Sequence, residues 1–199
     1  MLDVLGLAQK DKEAISESLE ALSRKYDCVL ANDLLETFAN RISDLTLFEE
    51  YHTVSLKNVF KIQHNGNEFY ILSIYLTEVD LKVDFTSLMF GALLLKNNFE
   101  RILIKPENTW DRLLKLFGSG KSKMIELQGK SNKYRITFAG KNTSAHQLPQ
   151  AFLDELSGMR KVFAEFHEKN FIAAFNKSIT VEDALSLADF LSKIAPVLS

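Results

Sequence analysis

The stretch TVSLKNVFKIQHNGNEFYILSIYLTE, Thr53 to Glu78, decides the fold class of this 199-residue chain. Two runs rich in β-branched and aromatic residues, Thr53 to Gln63 and Glu68 to Glu78, flank His64-Asn65-Gly66-Asn67. Asn-Gly between such runs predicts a β-hairpin, because both residues tolerate the positive φ of a turn whose twist matches that of the strands. Side chains alternate across a strand, so Phe69, Ile71, Ser73, Tyr75 and Thr77 fall on one face and Tyr70, Leu72, Ile74 and Leu76 on the other. The second set is the more uniformly apolar and is expected to face the core.

Downstream, Val83 to Leu95 starts by alternating and then turns apolar on both faces, the pattern of a strand running from an edge into a covered centre. Gly91 within it predicts a bulge or a close backbone approach. Arg101 to Lys105 reads as a separate short strand closed by Pro106, and Asn108 caps a helix from Thr109 to about Phe117 that Gly118 ends. Lys123 to Gln128 and Lys133 to Phe138 predict a second hairpin, and Val162 to Phe166 with Phe171 to Phe175 a third, turning at His167-Glu168-Lys169-Asn170. Pro149 opens a helix through Phe152, Leu153 and Leu156 that Gly158 ends. Thr180 caps a closing helix with an apolar stripe of Ala184, Leu187, Ala188, Leu191, Ile194 and Ala195, which Pro196 stops.

Upstream, Ala8 to Arg24 carries Ile15, Leu19 and Leu22 at helical spacing, and a second helix spans about Asn32 to Ile42 with Asp33 and Glu36 favouring its start. The expected class is therefore α+β, a mainly antiparallel sheet of hairpins with an N-terminal helix pair, two short internal helices and a C-terminal helix packed on it. The pattern changes at Ser43 to Leu47, which divides an N-terminal helical segment, 1–46, from an α+β domain, 47–199, together forming one compact unit.

Composition sets outer bounds. Apolar residues at 46% and charged residues at 25% match a folded globular chain, and a net charge of −2 creates no whole-molecule field for nucleic acid or anionic membrane. Cys28 is the sole cysteine, which excludes an intramolecular disulfide and a cysteine-rich zinc site and predicts a reducing, cytoplasmic setting. No basic-then-apolar leader opens the sequence, and Phe85 to Leu95, the longest mainly apolar uncharged stretch, is far short of the ~20 residues a membrane helix needs.

Gly118-Ser119-Gly120-Lys121-Ser122 looks like a phosphate-binding loop but has Lys115 where the first glycine belongs, and it follows a predicted helix and precedes a predicted strand, the reverse of that motif's setting. His52, His64, His146 and His167 show no metal-ligand spacing, and no Gly-x-Ser-x-Gly elbow occurs. Cys28 reads as a buried, inert thiol beside Val29 and Leu30. No catalytic, cofactor-binding or metal-ligating residue is expected.

Charge asymmetry stands above this background. Residues 1–50 carry 5 basic and 11 acidic residues, a net −6, whereas 115–141 carry 7 basic residues against Glu126, a net +6. Lys121, Lys123, Lys130, Lys133 and Arg135 are the candidate anion-binding residues. Lys133, Arg135 and Thr137 share a face on which Glu126 can pair across the hairpin, while Tyr134, Ile136 and Phe138 point to the other, which argues against a base-stacking surface for nucleic acid.

Two segments resemble a bacterial family known as domain of unknown function 3137. One is Phe90-Gly91-Ala92-Leu93-Leu94-Leu95 followed by Arg101-Ile102-Leu103-Ile104-Lys105-Pro106. The other is Leu148-Pro149-Gln150-Ala151-Phe152, continuing to Val162-Phe163-Ala164-Glu165-Phe166 and Phe171-Ile172-Ala173-Ala174-Phe175. The likeness runs over roughly Val54 to Val197 and rests on apolar structural motifs. It implies an accessory or binding role and supplies no catalytic residue. Members often carry membrane helices ahead of this region, whereas the two opening helices here are too charged for that. The expected function is a non-catalytic binding or protein-interaction domain whose partner is a protein or small ligand. The alternatives are a peripheral domain binding lipid headgroups or nucleic acid through 115–141, and an enzyme whose site is assembled from distant residues.

Overall fold

The computed structural model describes residues 9–48, 51–78, 85–106, 121–126, 133–138, 148–159, 161–175 and 180–198, and for 51–53, 77, 78, 85–87, 121–126, 133 and 135 it describes the backbone alone. Its elements run α1 (Gln9–Lys25), β1 (Asp27–Leu30), α2 (Leu35–Ile42), β2 (Tyr51–His64), β3 (Asn67–Glu78), β4 (Phe85–Pro106), β5 (Lys121–Glu126), β6 (Lys133–Phe138), α3 (Gln150–Gly158), β7 (Val162–Phe175) and α4 (Val181–Leu198). Short 3-10 turns at Asn32–Leu34 and Thr46–Phe48 lead into α2 and follow it. The expected helix at Thr109 to Phe117 lies outside the described residues. The class is α+β with a mainly antiparallel sheet, as the sequence predicts.

The β2–β3 hairpin forms in register from His64 paired with Asn67 outward, and Asn65 and Gly66 take φ of 49° and 75°, the left-handed pair that the Asn-Gly turn supplies. Both of its faces are covered. Phe69, Ile71, Ser73 and Tyr75 are as buried as Tyr70, Leu72, Ile74 and Leu76, so the expectation of one core face gives way to a sheet with helices on each side.

On one side α1, α3 and α4 pack over Phe60, Ile62, Phe69, Ile71, Ile102, Phe166 and Phe171. The Phe152 ring of α3 sits edge-on to Phe166 and Phe171, at 5.3 and 5.8 Å between centroids. On the other side α2 and the two short turns cover Val59, Tyr70, Leu72, Ile74, Phe90 and Ile172, with Phe38 against Tyr70 and Phe48 against Phe90. Burial of each large side chain contributes roughly 1.5–3 kcal/mol, so the two layers are the main source of stability.

β4 is the spine. Its first half pairs with β3 on one edge and β7 on the other, and its second half pairs with β6 and β7, giving the order β1-β2-β3-β4-β6-β5 with β7 along β4's remaining edge. Two expectations are corrected here. Val83 to Leu95 and Arg101 to Lys105 are not separate strands, since Phe85–Pro106 is continuous through Lys96-Asn97-Asn98. Likewise Val162–Phe175 is one strand and not a third hairpin. Glu168 takes φ of 52° and the β4–β7 ladder shifts register between Leu94, Phe99 and Ile102, so the chain bends at a bulge and stays paired. The polar tetrapeptide 167–170 reflects the partial exposure of that bend, which a turn would produce equally well.

Gly91 is a close-approach position. A methyl there would meet Leu191 Cδ1 at 2.4 Å and Leu187 Cγ at 3.1 Å, so its absence lets α4 lie against the sheet. Thr180 caps α4 as expected, Asp183 N–H donating to its Oγ1 at 3.1 Å. The helix continues through Pro196 to Leu198, because a proline in the last turn removes one donor without a following turn to break.

Candidate functional site

Four of the five expected basic residues lie in one ladder, divided between its two faces. Lys121 and Lys123 of β5 pair with Phe138 and Ile136, while Lys133 and Arg135 of β6 pair with Glu126 and Met124. Glu126 thus lies opposite Lys133, as the strand alternation predicts. Lys130 and the turn between the strands lie outside the described residues. Tyr134, Ile136 and Phe138 are buried under the helices, and Thr137 on the other face is also buried, so that face is covered at this position and not solvated. Lys121 opens a strand, which agrees with setting the phosphate-loop likeness aside.

The histidines whose backbone is described lie on β2 and β7. His64 is at the first hairpin tip with its ring edge-on to Tyr26 at 5.0 Å, His167 is on β7, His52 is on the β2 backbone, and His146 lies outside the described residues. Among the described residues, no group of three or more His, Cys, Asp or Glu is arranged to hold a metal ion. Nor is any described helix long and apolar enough to cross a membrane.

Among the described residues three carboxylates have shifted proton affinities, and each is held by protein contacts. Glu165 is fully buried on β7, and burial pushes its carboxyl above the usual range, partly offset by Thr46 N–H and Leu47 N–H at 3.1 and 3.0 Å and by the Arg101 guanidinium. It ties the turn after α2 to the sheet. Asp189 on α4 accepts from Lys25 Nζ at 2.6 and 2.7 Å and from the Tyr26 hydroxyl. Burial alone would raise Asp189, but those donors and the nearby lysine charges hold it below the usual value. Glu68 is likewise lowered against burial by Lys61, Tyr70 and Gln63. In each case protein groups supply the hydrogen-bond donors to the carboxylate.

Cys28 is half-buried on β1, and its thiol is pushed up by burial first and by the Asp27 charge, with a bond from Ser23 working the other way. That makes it a poor nucleophile. Its neighbours are a different matter: Val29 and Leu30 are exposed by 53% and 39%, the highest of the large apolar side chains described, so the buried surroundings expected for this thiol hold on one side alone.

β1 is what the sequence reading missed. It pairs with β2 without any register shift, Asp27 opposite Gln63 through Leu30 opposite Phe60, and lies at the end of the sheet order. Ala31 N–H donates to Val59 O at 2.8 Å, and Val59 N–H donates to Asn32 Oδ1 at 3.1 Å. Main-chain groups alternate in an antiparallel ladder, so Ala31, Val29 and Asp27 turn theirs inward and Cys28 and Leu30 turn theirs outward. The outer edge is a row of two N–H and two C=O groups flanked by apolar side chains. It contains no proline, no bulge and no lysine, the usual devices that protect a terminal strand.

No family model matches the chain, and no curated protein matches it. Among solved structures it is similar to the mycobacterial trehalose monomycolate transport factor A, TtfA, with a TM-score of 0.41 and 10% identity over 92% of this chain and 96% of that one.

Proposed function

We propose that this chain is a non-catalytic protein-interaction domain that receives an extended segment of a partner along the outer edge of β1. The observation that carries this reading is the unprotected edge itself: outward main-chain groups at Cys28 and Leu30 with Val29 and Leu30 exposed beside them. Strand addition takes its affinity from main-chain hydrogen bonds and its selectivity from alternate side chains, and both are present here. The filled donor sets of Glu165, Asp189 and Glu68 favour it over an assembled enzyme site.

Leu30→Pro tests it. Proline at an edge strand removes an outward N–H that has no partner among the described residues, so the fold is kept while one receiving donor is lost. Binding of strand-forming peptides to the full chain, followed by fluorescence anisotropy, is expected to fall in this variant with its melting temperature little changed. Undiminished binding in a folded Leu30→Pro protein overturns the reading.

A second reading has its own support. The β5–β6 register keeps Lys133 and Arg135 together, opposite Glu126 and Met124, and divides them from Lys121 and Lys123, opposite Phe138 and Ile136, so contact with an anionic surface at the opposite end of the sheet would draw on one such pair and not on all four.

A further inference from the structure

The charges around β1 say what kind of segment the edge takes. Three cations lie next to it in sequence or register, and each has an acidic partner within the protein. Arg24 is bound to Glu20 at 2.5 Å, Lys25 to Asp189 at 2.6 Å, and Lys61, which pairs with Val29 across the ladder, to Glu68 at 2.5 Å. The acids are treated differently. Asp27 on β1, Asp33 in the following turn and Glu36 at the start of α2 are all exposed, and none has an ion pair among the described residues. The edge therefore combines a receiving main chain, two exposed apolar side chains and, at Asp27, a negative charge with no ion pair among the described residues.

We infer that the occupant of the β1 edge is an extended segment of another protein that carries a lysine or arginine opposite Asp27 and apolar residues along the rest of the strand. The inference rests on the strand-addition reading and adds the partner's chemistry. In a paired strand, opposite charges directly across from one another attract and like charges repel. A basic side chain across from Asp27 thus meets an acid with no ion pair among the described residues, and an acidic one meets its repulsion. Alternation supplies the rest: Asp27 and Val29 project to the side of the sheet that α2 covers, where Ala31 is buried, and Cys28 and Leu30 project to the other. The segment that fits has a cation beside Asp27 and an apolar residue beside Val29 on one face, with apolar residues against Leu30 on the other.

A second copy of this chain fits less well. Residues 1–50 carry a net −6, so two β1 edges brought together would also bring together two acidic zones.

The test uses two acetylated, fluorescent nine-residue peptides of threonine and valine, one carrying two lysines and the other two glutamates at the same places. The full chain is expected to bind the lysine peptide about fivefold or more tightly than the glutamate peptide in dilute salt, because Asp27 attracts one peptide and repels the other, and the preference is expected to shrink in molar salt. Asp27→Lys, a surface change that leaves the core untouched, is expected to reduce or reverse the preference. Leu30→Pro is expected to abolish binding of both peptides. Equal binding of the two peptides by the wild-type chain, with both lost in Leu30→Pro, overturns the basic-partner inference and leaves strand addition standing. Binding of the lysine peptide that survives Leu30→Pro overturns both. Sedimentation showing a wild-type dimer that Leu30→Pro disperses would make the occupant a second copy and overturn the inference as well.

Discussion

Replacing Gly91 by alanine probes how closely the closing helix is pressed onto the sheet. The added methyl would lie 2.4 Å from Leu191 Cδ1 and 3.1 Å from both Leu191 Cγ and Leu187 Cγ, against an ordinary contact of about 3.5–4 Å. Leu191 Cδ1 ends a flexible side chain, but the residue is fully buried and Leu187 is 1% exposed, so neither can swing into solvent. Relief requires a shift of α4 or an off-rotamer leucine, and such overpacking costs about 1–3 kcal/mol. Loss of glycine's freedom in the unfolded chain returns about 0.4–1 kcal/mol. The net expectation is a loss of roughly 1–2 kcal/mol, or a melting temperature lower by about 2–8 °C for a chain of this size. A double-mutant cycle with Leu191→Ala makes the reasoning specific. Leu191→Ala alone should cost about 2–5 kcal/mol through its cavity, but the methyl at position 91 would partly fill that cavity, so the double variant should lie above the sum of the two losses by about 1 kcal/mol or more. Urea titration of the four proteins measures this. An unchanged or raised midpoint in Gly91→Ala, or strictly additive losses, would refute the close packing of α4 on β4.

Glu165→Leu should lose about 2–5 kcal/mol by leaving Thr46 N–H, Leu47 N–H and Arg101 without their acceptor, and Glu165→Gln, which keeps one acceptor, about 1–3 kcal/mol. Because the folded protein raises this carboxyl above its unfolded value, its contribution is full at low pH and is lost as pH rises through the folded value, so the wild-type advantage over Glu165→Gln should narrow between acid and neutral pH in thermal melts. Asp189 has the opposite sign: its folded value is lowered, so the stability it adds is present above the ordinary carboxylate range and fades as pH falls through the folded value. At 43% exposure the pair with Lys25 is screened, and Asp189→Asn should cost only about 1 kcal/mol at neutral pH and close to nothing in strong acid, by urea titration. If the β5–β6 ladder meets anionic surfaces, the chain should co-sediment with vesicles containing phosphatidylserine in dilute salt, and replacing Lys121, Lys123, Lys133 and Arg135 by glutamate should abolish it; no salt-sensitive binding would remove that reading.

What could be read from the sequence follows from how far each signal is local. Asn65-Gly66 fixes a turn by its own conformational preferences, and Thr180 with the stripe from Ala184 to Ala195 fixes a helix by capping and period, so both elements were legible. The 167–170 segment was misread because polar residues at a bulge and at a turn have the same composition, and only pairing with β4 distinguishes them. Lys96-Asn97-Asn98 misled in the same way within β4. Glu165 sits at an alternation position that predicts exposure, and it is buried by a turn more than a hundred residues earlier in the chain, which no local pattern encodes. β1 is four residues long, too short to show a period, and its neighbours are helical on both sides. The pairing of the two basic strands was legible, but neither their register nor the covering of their opposite face was, since Thr137 is buried by tertiary packing.

The shortness that hid β1 also bears on how it can work. A strand of this length frays when left to itself, and a fraying edge pays the ordering cost at the moment of binding. Here both ends are tied. At the start, Tyr26 N–H continues from α1 to Leu22 O at 2.8 Å, and the Tyr26 hydroxyl is held by Asp189 with its ring against His64 and Phe69. At the finish, Ala31 and Asn32 close onto both main-chain groups of Val59. The chain enters β1 from the α1 layer and leaves it toward the α2 layer, so the strand is clamped by helices on opposite faces of the sheet. None of these bonds uses the outward groups of Cys28 and Leu30. The edge is thus ordered in advance, and if the strand-addition reading holds, that order lowers the cost of receiving a partner on so short a strand.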